Sequence, residues 1–236
     1  MQDFQKNIQA LKNLKKPQAI IFDWDNTLVN TWPLIQQAIN LTMAKMQMEL
    51  WSLEKVRNTV HKSMRDSFPD IFGERWQEAG EIYRNSYSAI NLDQLELLPN
   101  ALTLLKKAQE KNILQFVVSN KIGSTLRREV KKLAVEKYFF SVIGALDAKA
   151  DKPSNSPVEM ALQGSGIDCK KDQVWFVGDT IADVECAFNS SCSPIIFSDD
   201  NNKISSSISQ EIISSGYRNS GVIPLYFDHK HLSEML

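Results

Sequence analysis

The sequence lacks a long apolar run and a strong net charge, and each absence excludes a class of protein. No apolar stretch is long enough to span a bilayer, so we expect no membrane-spanning segment. Lysine and arginine number 27 against 28 aspartates and glutamates, at a formal net charge of −1. This balance creates no field over the whole protein that would hold nucleic acid or an anionic membrane, and we expect neither as a partner.

Cysteine is also scarce. Cys169, Cys186 and Cys192 cannot all pair with one another, and their spacing matches no zinc site. We interpret them as free thiols in a reducing compartment, which predicts a cytoplasmic protein.

The N-terminal residues contain no apolar core of the secretory kind. Instead, apolar residues recur there at helical spacing, at Phe4, Ile8, Leu11 and Leu14. This stripe predicts a helix packed on the protein, with a membrane-surface helix or a targeting signal as the alternatives.

What the sequence does contain is a series of short apolar runs that end in polar residues. Residues 18–23 (QAIIFD) end at an acid, the run ILQFVVSN ends at Ser119 and Asn120, QVWFVGD ends at Asp179, and SPIIF follows at 193–197. Helical patterns lie between these runs. Strands alternating with helices predict an α/β fold, namely a Rossmann-like parallel sheet with helices on both faces. Ligands bind such sheets beyond the carboxyl ends of the strands, where these polar residues lie.

The alternation is broken by a wholly helical stretch after the first strand. The 236 residues, 43% of them hydrophobic, suffice for one sizeable core and an inserted accessory domain. We predict a core domain formed by residues 1–31 and 99–236 and a helical cap domain formed by residues 32–98. The serine- and asparagine-rich stretch 198–221 is predicted to be a long polar connection.

Two acids, Asp23 and Asp25, follow the first strand with one residue between them. In a strand-to-loop turn both can approach one point and take different roles. One carboxylate can attack phosphorus while the other, protonated, supplies a proton to the leaving oxygen. A polar loop without chemistry is the alternative interpretation of this pattern.

Other strand ends supply groups that would complement these acids. Ser119 and Asn120 can donate hydrogen bonds to phosphate oxygens, and Lys152 can place a compact positive charge beside Asp23 and the phosphate. Asp179 and Asp183 fall one helical turn apart on one face, and their oxygens suit Mg²⁺.

Charge compensation favours a metal in this set. Two carboxylates about 4 Å apart repel by about 4 kcal/mol at an effective dielectric constant of about 20. Four converging acids and a phosphate therefore need a divalent cation in addition to Lys152.

These stretches resemble, in order, the four motifs of the haloacid dehalogenase superfamily. They are FDWDNTLV, VVSN, the lysine of DKP, and GDTIAD. The resemblance spans residues 18–197, and the cap position carries no motif. It implies a Mg²⁺-dependent phosphatase similar to phosphoglycolate phosphatase, acting on a small phosphorylated metabolite.

The resemblance also implies roles for individual residues around the phosphoryl group. Asp23 would form an aspartyl-phosphate, and Asp25 would be the general acid and then the base that activates water. Thr27 and Ser119 would orient the phosphate, with Asn120 close by.

The remaining implied roles concern charge and metal. Lys152 would neutralise Asp23 and the phosphate. The Mg²⁺ would be bound by Asp23, by the backbone carbonyl of Asp25, by Asp179 directly, and by Asp183 directly or through water.

Several other functions stay open at this stage. A phosphosugar mutase shares the phospho-aspartate and differs in water access to it. A carbon–halogen hydrolase is disfavoured by Asp25, since a halide needs no proton donor. A phosphonate hydrolase would need a cap lysine as its nucleophile. The predicted cap contains Lys45, Lys55 and Lys62, and nothing marks one of them. A binding module is disfavoured by the intact catalytic residue types. The oligomeric state is open between monomer and homodimer.

Residues outside the motifs are interpreted as structural. His61, Lys62 and Arg65 are expected on a solvated helix face rather than on a second anionic group of the substrate. Separately, a surface helix is expected around His229 and His231, rather than a metal site. The cap tryptophans are expected to pack in the cap core rather than stack on substrate; they are Trp32, Trp51 and Trp76.

Overall fold

The computed structural model describes residues 10–60, 64–198 and 223–236. The chain divides into two compact units, one formed by Met1–Leu28 with Leu97–Leu236 and the other by Val29–Glu96.

The first unit is built on a six-stranded parallel sheet in the order β5-β4-β1-β6-β7-β8. Two further short strands, β2 and β3, pair with each other where the chain enters and leaves the insertion. The strands are β1 (Ala19–Phe22), β2 (Val29–Asn30), β3 (Glu96–Leu97), β4 (Leu114–Ile122), β5 (Ser141–Ala145), β6 (Val174–Gly178), β7 (Ser193–Phe197) and β8 (Leu225–Tyr226).

Nine α-helices are described in the two units. They are α1 (Trp32–Lys45), α2 (Leu53–Thr59), α3 (Met64–Phe72), α4 (Trp76–Ala89), α5 (Ala101–Glu110), α6 (Gly123–Lys132), α7 (Ser156–Leu162), α8 (Ile181–Asn189) and α9 (His229–Met235). Helices α1–α4 lie in the insertion, and α5–α9 lie in the unit that contains the six-stranded sheet.

Both faces of the sheet are covered. This is shown by the successive side chains of the central strand β1, which are all buried. Ala19 and Ile21 pack in one layer with Val158 of α7 and Ala187 of α8. Side chains of a strand alternate between faces, so Ile20 points to the opposite face, where it is also fully buried. Apolar side chains removed from water on both faces stabilise a parallel sheet. The predicted α/β fold with helices on both faces is confirmed.

The insertion is helical, as its apolar periodicity predicts. Its core includes an aromatic group in which Phe68 contacts Phe72 and Tyr83, with ring centroids 4.9 and 5.4 Å apart. The three tryptophans of the insertion, Trp32, Trp51 and Trp76, are half-buried. Two of them have a cation on the ring: Lys55 over Trp51 and Arg57 over Trp32.

Some predictions fall outside the described part of the chain. These concern Phe4, Ile8, His61, Lys62, the side chain of Arg65 and most of the polar stretch 198–221. Within the described residues, Leu11 of the N-terminal stripe is buried, and the three cysteines are free thiols as predicted. Among the described residues, we find no helix that could serve as a bilayer-spanning segment.

Candidate active site

The candidate site lies at the carboxyl ends of three neighbouring strands. Asp23 follows β1, Ser119 lies near the end of β4, and Asp179 follows β6. The backbone N–H of Asp23 still donates to the carbonyl of Val177, at 2.8 Å, so the ladder holds the acid's backbone in place. Parallel packing therefore brings together residues that are far apart in sequence.

Lys152 joins two of the predicted site acids. Its Nζ lies 2.6 Å from Oδ1 of Asp23 and 2.6 Å from Oδ1 of Asp183. All three side chains are buried, at 7% exposure or less. A buried lysine shared between two carboxylates fixes both of them and neutralises part of their charge.

Asn120 holds the backbone of Lys152. Its Nδ2 donates to the Lys152 carbonyl at 3.1 Å, and its Oδ1 accepts from the Lys152 N–H at 2.9 Å. These two bonds give Asn120 a positioning role. The direct substrate contact predicted for Asn120 stays a prediction.

Thr27 and Ser119 are also brought to the site. The Thr27 hydroxyl, fully buried, donates to Oδ1 of Asp179 at 3.2 Å. The Ser119 hydroxyl accepts from the backbone N–H of Lys121 at 3.3 Å. The Thr27 hydroxyl thus lies beside Asp179 after β6, and the Ser119 hydroxyl lies near the end of β4.

The junction of β6 and α8 explains the position of Asp183. Oδ2 of Asp183 accepts from the N–H of Thr180 at 2.9 Å and from its hydroxyl at 2.6 Å, closing a capping box at the start of α8. A Cβ added to Gly178 would collide with the Asp183 carboxyl group. Glycine at this position is required by the closeness of Asp183 to the strand end.

The acids of the site repel one another. Burial raises the pKa of Asp23 to about 6; Lys152 opposes this shift, while the charges of Asp183 and Asp25 add to it. Burial also raises the pKa of Asp179 well above its usual value, and the Asp23 charge adds to that shift. Burial lowers the pKa of Lys152, but the carboxylates of Asp183 and Asp23 outweigh it and raise the pKa.

These residues fit a divalent cation. Asp23, Asp179 and Asp183 each place one potential ligand atom within 4.8 Å of the others. Three carboxylates face the single ammonium of Lys152, so the cluster is short of positive charge. Hard carboxylate oxygens are the ligands that Mg²⁺ prefers.

Lys121 and Glu129 were not singled out from the sequence. Nζ of Lys121 lies 2.6 Å from Oδ1 of Asp25 and within 2.9 Å of both carboxylate oxygens of Glu129. Glu129 also accepts from the indole N–H of Trp24 at 2.7 Å. The only signal in the sequence is that Lys121 directly follows Ser119 and Asn120.

The surface position predicted for His229 is wrong. This residue is fully buried, with Nε2 donating to the carbonyl of Thr27 at 2.7 Å and Nδ1 accepting from the Tyr226 hydroxyl at 3.1 Å. Its ring stacks on Phe197 with centroids 4.5 Å apart. The prediction holds for His231, which is exposed on the same helix.

Comparison with known proteins decides the family. A model of the haloacid dehalogenase-like hydrolases matches residues 20–196, three quarters of the chain. The chain belongs to the haloacid dehalogenase-like hydrolase family. The predicted resemblance is confirmed, and the matched range of this hydrolase includes Asp23, Lys152 and Asp179.

Curated relatives of the hydrolase are similar over most of their length. Pyrophosphatase PpaX of Listeria monocytogenes is 27% identical over 176 residues, which cover 74% of this chain and 80% of the relative. Pyrophosphatase PpaX of Anoxybacillus flavithermus is 28% identical over 165 residues, covering 70% and 76%.

Solved structures share the fold of this hydrolase. A haloacid dehalogenase-superfamily hydrolase from Ehrlichia chaffeensis aligns with a TM-score of 0.62 and 29% identity, covering 94% of this chain and 97% of that one. A predicted phosphoglycolate phosphatase from Haemophilus somnus aligns with a TM-score of 0.75 and 17% identity, covering 94% and 99%.

Proposed function

We propose that the protein is a Mg²⁺-dependent phosphatase that hydrolyses a small phosphate ester through an aspartyl-phosphate on Asp23. One observation carries the proposal: the Lys152 ammonium bridges Asp23 and Asp183 at 2.6 Å each, in a cluster where Asp179 adds a third converging carboxylate. Buried acids held together with a deficit of positive charge suit the binding of a cation and a phosphate.

In the first half-reaction the Asp23 carboxylate attacks phosphorus, and the bond from phosphorus to the ester oxygen breaks. Asp25 gives its proton to that leaving oxygen, so an alcohol departs. Thr27 and Ser119 orient the phosphoryl oxygens, and Lys152 offsets the charge on Asp23 and the phosphoryl group.

In the second half-reaction Asp25, now a carboxylate, takes a proton from water. The water oxygen attacks phosphorus, the bond to Asp23 breaks, and inorganic phosphate leaves. Asp23 and Asp25 are then back in their starting states.

Asp23, Asp179, Asp183 and the backbone carbonyl of Asp25 would hold the Mg²⁺. When bound, Mg²⁺ supplies electrostatic stabilisation of the charge on the transferring phosphoryl group.

We further propose that residues 32–98 act as a cap that sets substrate choice, and that the enzyme works in the cytoplasm. Phosphoglycolate is one candidate ester. Pyrophosphate, which is an anhydride rather than an ester, is a second candidate substrate. The pyrophosphatase relatives at 27% and 28% identity favour it.

The first test measures inorganic phosphate released from 4-nitrophenyl phosphate, phosphoglycolate and pyrophosphate. We expect release with Mg²⁺ and none after chelation. Phosphate released to water also separates hydrolysis from the transfer that a mutase would perform. The substrate with the highest kcat/KM identifies the substrate class.

Asp23→Asn is expected to abolish turnover, because an amide cannot form the acyl phosphate. Its melting temperature should not fall, since burial and neighbouring acids already disfavour the charge of Asp23. The matched control is Asp168→Asn, an acid outside the site whose side chain is 45% exposed, and it should keep full activity. Full activity in Asp23→Asn would reject Asp23 as the nucleophile.

A further inference from the structure

A buried series of polar contacts connects Asp25 to Lys121, Glu129 and Trp24. Glu129 of α6 is fully buried, yet its carboxylate is held by two different donors. The indole N–H of Trp24 donates to Oε2 at 2.7 Å, and the Lys121 ammonium donates to both oxygens at 2.9 and 2.8 Å.

Lys121 has a second anionic partner in Asp25. Its Nζ lies 2.6 Å from Oδ1 of Asp25, and its own side chain is only 7% exposed. A buried ammonium held by both oxygens of a fixed carboxylate has little freedom to move, so it is a fixed point to which Asp25 is attached.

The contacts form a closed ring through the chain. Trp24 and Asp25 are neighbours in sequence; Trp24 binds Glu129, Glu129 binds Lys121, and Lys121 binds Asp25. The loop that follows β1 is therefore attached twice, once through an indole and once through a carboxylate, to β4 and α6.

A simple ion pair that stabilises the fold would need only Lys121 and Glu129. Burying such a pair gains little over apolar side chains of similar size, so stability alone gives weak reason for it. The attachment to Asp25 gives the pair a use, because a proton donor must lie within hydrogen-bond reach of the leaving oxygen.

We propose that Lys121 is a positioning residue that orients the carboxyl group of Asp25, and that Glu129 positions Lys121. This inference rests on the proposed phosphatase function and deepens it. Misplacement of a reacting group by about 1 Å can cost about 100-fold in rate, so loss of Lys121 should be visible in turnover.

The test uses Lys121→Met and the double variant Lys121→Met with Glu129→Gln. The single variant leaves the Glu129 carboxylate buried without its ammonium and is expected to unfold at lower temperature. The double variant removes both charges, and its melting temperature should return towards that of the wild type. The matched control is Lys131→Met. Lys131 is an exposed lysine on α6, the helix that contains Glu129, and its substitution should change neither stability nor turnover.

Turnover is compared on two substrates. An alkyl phosphate needs a proton on its leaving oxygen, whereas 4-nitrophenolate departs without one. We expect the double variant to lose about 10-fold or more in kcat on the alkyl phosphate, and much less on the aryl phosphate, with KM little changed. If its activity recovers with its stability, or falls equally on both substrates, the positioning role is wrong.

A double-mutant cycle with Asp25→Asn completes the test. In that background the Lys121 and Glu129 substitutions should cause no further loss on the alkyl phosphate, because the group they orient is gone. If the Lys121 and Glu129 substitutions lower kcat in the Asp25→Asn background by the same factor as in the wild type, the proposal is overturned. A wild-type protein inactive on both substrates would instead reject the proposed function itself, so the two failures are distinguishable.

Discussion

His229 shows how a single buried residue connects the C-terminal helix to the site. Its two ring nitrogens are both used, one on the carbonyl of Thr27 and one on the hydroxyl of Tyr226. Burial lowers the pKa of His229 to about 4, although the bond to the Thr27 carbonyl opposes the shift. The neutral ring therefore holds in place the residue whose hydroxyl contacts Asp179.

This geometry predicts a pH dependence of stability. The unfolded chain protonates His229 near its ordinary pKa of 6.5, whereas the folded protein does so only near 4. The neutral His229 thus stabilises the fold fully above pH 6.5, and this stabilisation is lost as the pH falls towards 4. By about pH 5 the free energy of unfolding should have fallen by about 2 kcal/mol.

The check is denaturant unfolding between pH 7 and pH 5, compared with His229→Gln. Glutamine can still donate to the Thr27 carbonyl but does not ionise in this range. We expect the wild type to lose more unfolding free energy than the variant over this interval. Parallel pH curves for the two proteins would contradict the buried neutral state of His229.

The motif residues could be predicted from the sequence, and their surroundings could not. Asp23, Ser119 and Asp179 stand directly after buried apolar runs, so parallel pairing places them at one edge of the sheet. Glu129 and His229 carry no such local signal. Their burial depends on partners 105 and 202 residues away, Trp24 and Thr27, and a single sequence does not reveal those pairings.

At the scale of elements, the junction of β6 and α8 is tightly packed. Gly178 ends the strand, Thr180 caps the helix, and Asp183 reaches back to both the cap and Lys152. The capping bonds of Asp183 and the role proposed for it in Mg²⁺ binding therefore depend on the same local backbone.

Gly178→Ala should disturb this junction, because the new Cβ would collide with the Asp183 carboxyl group. We expect a loss of about 1–3 kcal/mol in unfolding free energy, the usual cost of overpacking, and weaker Mg²⁺ binding by calorimetry. In the control Gly80→Ala the nearest atom outside the helix backbone lies at an ordinary 3.5 Å, and Mg²⁺ binding should be unchanged. An unchanged Mg²⁺ affinity in Gly178→Ala would contradict the proposal that Asp183 binds the metal.

Strands were predicted well where an apolar run is continuous and poorly where it is interrupted. Strands β1, β4, β6 and β7 were expected from their runs. Strand β5, with the sequence SVIGA, was missed because glycine interrupts its apolar run and its first residues are only partly buried. Its place at the sheet edge beside β4 is a product of tertiary packing.

At the scale of the whole molecule, cation and phosphate binding should act together on stability. A ligand that binds only the folded state stabilises it by about 2.7 kcal/mol at about 100 times its dissociation constant. Beryllium fluoride mimics an acyl phosphate, so we expect it to raise the melting temperature only when Mg²⁺ is present. Asp179→Asn should abolish this coupling; equal stabilisation without Mg²⁺ would contradict a shared site.

The most direct measurement is chemical trapping of the phosphorylated residue. The enzyme is quenched in acid during turnover and treated with borohydride, which reduces an acyl phosphate to an alcohol, and the peptides are then mapped by mass spectrometry. We expect homoserine in place of aspartate at position 23 and at no other acid, and none in Asp23→Asn. Reduction at another acid, or none at position 23 in an enzyme trapped during turnover, would contradict the proposed nucleophile.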